Sequence, residues 1–275
     1  SDVLTNNGTL LAASELELNS RQIENLGEIA SFEAININNE ETLTNEGRII
    51  ANDLLISTNE LVNNKIIGSQ NLELIYQAVT SSDEAVLSSQ NAIYKAKTNT
   101  ASFTNYGTQI ASDSMSWLTL EDSSGNFVNA GLLSGTHINF TGLATVQNGL
   151  LIDGKIKGTI QALTNSDNNI EGTLTIGAEE FTQLGTLEAN QVSIIRNDFH
   201  NEGAIYSDQF TANTTAEFIN SGVIGAQTVD ITTAKLTNNA SSIISATNTN
   251  ISNANIINAG ELISNEFNIT GSTDF

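Results

Sequence analysis

The sequence predicts an all-β protein: a single-stranded, right-handed parallel β-helix of about 14 coils. Three observations carry this. One short unit recurs along the chain, its apolar residues alternate as they do in strands, and the 275 residues include no proline.

The unit reads apolar, any, Asn, any, Gly, any, aliphatic, any, Ala or Ser. Clean copies are Leu4-Thr-Asn6-Asn-Gly8-Thr-Leu10-Leu-Ala12, Ile23 to Ser31, Leu43 to Ala51, Phe199 to Ser207, Phe218 to Ala226 and Ile256 to Ser264. Weaker copies are anchored at Asn63, Ser81, Asn105, Asn129, Gln147, Asn165, Gln183 and Asn238. Successive anchors lie 18 to 24 residues apart. Two places before the anchor, 13 of the 14 residues are apolar, and five of the ten Phe fall there. Paired aliphatics follow nine to twelve places after it, as in Leu54/Ile56, Leu72/Leu74 and Val192/Ile194.

The local period is two, which means strands, and each coil reads as about three short strands broken by turns. The anchor Asn suits a turn and can hydrogen-bond along a stack of like residues. The Gly after it reads as a residue of positive φ. One repeat cannot bury its own apolar face, whereas stacked repeats can. Proline would delete a ladder hydrogen bond, so its absence fits. A left-handed β-helix repeats its aliphatics every six residues. Here they fall near −2, +4, +6, +9 and +11 from the anchor, which favours the right-handed form. At about 4.8 Å per coil, 14 coils would make a rod of roughly 65 to 70 Å.

The chain reads as one continuous domain, 1–275. Residues 1–79 and 129–275 hold regular coils, and 80–128 hold irregular ones. The irregular stretch gathers Tyr94, Lys95, Lys97, Tyr106 and Trp117, with Asp122-Ser-Ser-Gly125 as an exposed turn. Loops inserted in a solenoid often bind on one face, so these five residues are receptor-binding candidates. The alternative is that longer coils simply loop out and Trp117 packs beneath them.

Lys plus Arg number 9 and Asp plus Glu 31, for a net charge of −22. That excludes the basic footprint of nucleic-acid binding and simple docking on an anionic membrane. No cysteine is present, so disulfides, thiolate metal sites and Cys nucleophiles are excluded. Ser1 to Gly8 lacks the basic and apolar regions of a signal peptide, and no apolar run is long enough to span a bilayer as a helix.

No catalytic, cofactor or metal residues are assigned. His137 and His200 lie about three coils apart, with His200 facing outward. The arginines, Arg21, Arg48 and Arg196, stand in no recognisable acidic constellation. The acidic pairs Glu40-Glu41, Asp83-Glu84, Glu121-Asp122 and Glu179-Glu180 read as solvated turns rather than Ca²⁺ ligands, since the GGxGxDxUx pattern is missing. A carbohydrate-active β-helix enzyme is therefore the least favoured reading.

The unit, with its paired aliphatic strand about ten residues on, resembles the haemagglutinin repeats of filamentous haemagglutinin. It is equally similar to those of the contact-dependent growth inhibition (CDI) effectors. Both are two-partner secretion exoproteins. The resemblance covers most of the chain, most faintly at 80–128. It implies an extracellular filament at the bacterial surface, exported through an outer-membrane barrel partner. It also implies an internal piece, without the family's secretion domain or toxin. In the CDI branch, a receptor-binding region lies partway along the filament, and the irregular middle could be that region. The outer-surface receptor would be a protein or lipopolysaccharide on a neighbouring cell. A passive spacer is the alternative. Open coil edges would also allow end-to-end self-association.

Overall fold

The computed structural model describes residues 2–118, 120, 125–164, 171–178, 180–252, 255–271 and 273–274. The described residues form strands and turns without a helix, wound as a parallel β-solenoid of about 13 turns. The anchor at Asn165, the turn residues Asp122 to Ser124, and Glu121 and Glu179 of the acidic pairs lie outside the described residues.

The chain forms two compact units. The first comprises Ser1–Gly135 with Gly142–Ala144; the second comprises Thr136–Thr141 with Thr145–Phe275. In the first unit, short strands end on the anchors and stack in parallel order. They are Val3–Asn6, Gln22–Asn25, Thr42–Asn45, Glu60–Asn63, Ala78–Ser81, Ser102–Asn105 and Gly125–Asn129. Every anchor faces the anchor of the next coil, as in Asn25↔Asn45 and Ser81↔Asn105.

The rest of the coil meets the three-strand expectation only at the start of the chain. In the first two coils it is split, as in Glu28–Ser31 and Ala34–Asn39. From the third coil it is one long strand: Arg48–Ser57, Ile66–Tyr76, Val86–Ala96 and Thr108–Leu118. Each long strand turns a corner without ending. At Asn52-Asp53 two successive side chains point outward, so the inward set runs Ile49, Ala51, then Leu54, Ile56. That phase slip is the physical content of the +4, +6, +9, +11 spacing. Burying each such aliphatic contributes roughly 1.5–3 kcal/mol.

The second unit repeats the scheme. Glu180–Gln183, Phe199–Asn201, Glu217–Asn220, Lys235–Asn238 and Asn255–Asn258 stack in parallel, and so do Thr186–Arg196, Ala204–Thr214, Val223–Thr232, Ile243–Ser252 and Glu261–Thr270. Its first anchor is Asn148, not Gln147. Thr145–Asn148 pair with Glu180–Gln183, so Val146 takes the buried place assigned to Thr145. Among the described residues, no strand of this sheet stands between them, and Leu163 is exposed rather than core. The interval from Asn148 to Gln183 is one long coil. It contains an antiparallel hairpin, Leu150–Ile152 with Lys155–Lys157, and the strands Thr159–Ala162 and Thr173–Ile176.

The repeat glycines owe their place to close approach, not to φ. Gly149, Gly154, Gly158 and Gly271 are the described glycines with positive φ. A Cβ on Gly27 would fall 2.0 Å from the Gly8 carbonyl oxygen, and one on Gly222 2.1 Å from that of Gly203. Stacked turns bring backbone against backbone there, and only glycine fits.

Candidate functional site

The anchors form the internal spine of each coil stack. Asn6 Nδ2 donates to Asn25 Oδ1 at 2.8 Å, Asn25 to Asn45 at 2.8 Å, and Asn45 to Asn63 at 2.8 Å. Each amide also donates to a backbone carbonyl of the next coil: Asn6 to Glu28 O at 3.0 Å, Asn25 to Arg48 O at 3.0 Å, and Asn45 to Ile66 O at 3.1 Å. In the second unit, Asn148 reaches Gln183 at 3.0 Å, Asn201 reaches Asn220 at 2.9 Å, and Asn220 reaches Asn238 at 2.9 Å. These side chains are buried, so each bond satisfies groups that water cannot reach.

Ser81 interrupts the spine. Its hydroxyl is too short to span the coil, and Ser81 Oγ, Asn63 Nδ2 and Asn105 Oδ1 are buried without a hydrogen-bond partner. Aromatic rings fill the coils on either side. Tyr94 stacks on Trp117 with centroids 4.6 Å apart, while Phe103 meets Tyr76 at 5.5 Å, Tyr94 at 5.3 Å and Phe127 at 5.5 Å. Burial pushes the Tyr76 and Tyr94 phenols well above the ordinary tyrosine range.

The five candidate residues therefore do not share one surface. Tyr94 and Trp117 are 0% exposed and offer nothing to a partner. Lys95 faces outward and bonds Glu73 at 2.7 Å. Lys97 donates to Asn59 Oδ1 at 3.1 Å, and partial burial lowers its pKa. Tyr106 is 38% exposed. A signal for the buried pair was present in the alternation: Leu74, Tyr94 and Trp117 are register partners in successive coils, and Leu74 belongs to an inward pair.

Sequence reasoning missed the groove on the outer face of the long strands. About 380 Å³ in volume, it is lined by Asn36, Asp53, Leu55, Asn71, Glu73, Asn91 and Ile93, among others. A polar column crosses it: Asn71 donates to Asp53 at 2.8 Å, Asn91 to Asn71 at 3.2 Å, and Ser114 to Asn91 at 2.8 Å. The pattern is sequence-legible only once the coil register is known.

Elsewhere four surface cations bridge neighbouring coils: Arg21–Glu41 at 2.5 Å, Lys65–Glu84 at 2.5 Å, Arg48–Glu28 at 3.6 Å and Lys235–Glu217 at 2.7 Å. The hydrogen bond from Lys65 lowers the Glu84 pKa, and that from Lys235 lowers the Glu217 pKa. His137 contacts Thr173 Oγ1 at 2.9 Å and His200 contacts Ser221 Oγ at 2.8 Å. Among the described residues, no group of three or more His, Asp or Glu is placed to hold a metal ion.

These features define a parallel β-solenoid stitched by buried amides. No family model matches the sequence, and no solved structure matches it. Over 147 residues, 51% of the chain, it is 28% identical to the deoxyribonuclease CdiA of Dickeya dadantii (strain 3937). The match covers 4% of that protein, so the chain spans a small fraction of its relative. Half of the chain is thus similar to a small part of CdiA.

Proposed function

We propose that the chain is a segment of the extracellular filament of a CDI-type two-partner secretion exoprotein. Its work is to carry reach from the producing cell, and stability is what that work requires. The buried amide spine carries this reading, because it ties successive coils together on either side of its interruption at Ser81. The partial similarity to CdiA supports it. The filament would lie outside the cell, exported through an outer-membrane barrel. A chain of this kind should withstand stretching: pulled by its ends in an optical trap, it should yield in coil-sized steps. One low-force collapse would contradict the reading.

The outward-facing, half-buried Lys95 and Lys97 and the exposed Tyr106 favour a second reading, in which the segment also recognises a target-cell surface molecule. Fluorescently labelled chain should then bind target bacteria, and Lys95→Ala/Lys97→Ala/Tyr106→Ala should reduce that binding. Unchanged binding would remove these residues from the surface, and no binding at all would leave the passive spacer.

A further inference from the structure

The hairpin within the long coil differs from every coil around it. Leu150–Ile152 and Lys155–Lys157 pair antiparallel in a two-stranded sheet of their own. Asp153 and Gly154, with φ of 50° and 75°, make the turn, a geometry suited to tight hairpins. Gly149 and Gly158, both of positive φ, stand at its two roots. A Cβ on Gly154 would meet nothing within 4 Å, so the tip stands in open space.

The hairpin also breaks the composition of the surface. Leu151 and Ile156 are cross-strand partners on one face, 66% and 48% exposed. Lys155 and Lys157 are exposed on the other. Arg21, Arg48, Lys65, Lys95 and Lys235 each face a carboxylate on a neighbouring coil. Among the described residues, Lys155 and Lys157 face none. In a chain of net charge −22, two unpaired cations at alternate positions of one strand form a local positive edge.

That edge is also open to backbone pairing. A lone two-stranded hairpin is marginal in water, and its outer N–H and C=O groups await partners. Beside it runs a groove of about 470 Å³, lined by Ile156, Lys157, Gly158 and Thr159 and by Leu184, Gly185, Thr186 and Ala204. We propose that Lys155–Lys157 is a docking edge for an extended acidic segment of a partner protein, which adds a strand to the hairpin. Alternate carboxylates of that segment meet Lys155 and Lys157, and an aliphatic side chain between them covers Ile156. A lipid surface cannot supply the backbone ladder, and the charge of −22 opposes approach to an anionic bilayer. The inference does not depend on the filament reading.

The probe is a fluorescein-labelled peptide of four Glu-Val repeats, titrated with the whole chain by anisotropy. The expected result is saturable binding, weakened by salt and absent for a Lys-Val peptide. Lys155→Glu/Lys157→Glu, with an unchanged melting temperature, should weaken it by roughly tenfold or more. Amide hydrogen exchange at 155–157 should slow when the peptide binds. Absence of saturable binding, equal binding by the double variant, or exchange unchanged at 155–157 would overturn the proposal. Binding of phosphatidylglycerol vesicles through the same lysines, without peptide binding, would overturn it in favour of a lipid.

Discussion

The coils anchored by Asn25 and Asn45 and the coil anchored by Ser81 solve one problem in two ways. In the first pair, an amide reaches the next coil twice, once to its anchor and once to its backbone. At Ser81 neither bond forms, and three polar atoms are left buried without partners. That coil sits instead within the ring cluster of Tyr76, Tyr94, Phe103 and Trp117. The difference teaches that coil stacking has two separable sources: an amide spine that fixes register, and a filled interior that offsets its interruption.

The largest effect should come from emptying the ring cluster. Trp117→Ala leaves a cavity and should cost about 3–5 kcal/mol in urea unfolding. An effect below that of an ordinary surface substitution would show that the rings do not hold the Ser81 coil. Next, Asn45→Ala converts a bonded coil into one like that of Ser81, but without rings beside it. It removes one of the two acceptors of Asn25 Nδ2 and the amide donor to Asn63 Oδ1 and the Ile66 carbonyl, and each buried group left unpaired costs about 1–3 kcal/mol. A neutral Asn45→Ala would remove the spine from the account.

The aromatic region should also be the alkaline weak point. Tyr76 and Tyr94 have raised folded pKa values, so their contribution is fully present below the unfolded tyrosine value of about 10. It is lost as pH rises above that toward the folded values. Absorbance at 295 nm should show these phenols ionising together with unfolding. Their ionisation before any loss of structure would contradict their burial. The smallest effect should be a gain: Ser81→Asn can close the spine and add about 1 kcal/mol. A loss would mean that the ring cluster leaves no room for the amide.

Much of the coil was legible in sequence, and its failures have physical causes. The inward positions were readable because strand alternation is rigid, and the corner at Asn52-Asp53 showed itself as a phase slip. The role of the repeat glycines was not. Close approach between Gly8 and Gly27 exists only after the coils stack, so nothing local distinguishes it from a need for positive φ. The Asn148 anchor was misplaced by one residue because Thr145 and Val146 compete for one site and only stacking buries Val146. The long coil escaped notice because twice 18 residues lie between Gln147 and Gln183, a length that mimics two coils. At the candidate surface, the two lysines beside Tyr94 suggested exposure, yet alternation carries Tyr94 inward while Lys95 points out.

Side-chain amide exchange tests the spine most directly. In NMR spectra of the folded chain, the Nδ2 protons of Asn25 and Asn45 should exchange with solvent orders of magnitude more slowly than those of exposed Asn52. The Asn63 amide, beside Ser81, should be buried yet lack the bonded partner. Protection of Asn25 and Asn45 confirms that buried amides couple the coils; exchange as fast as that of Asn52 would contradict it.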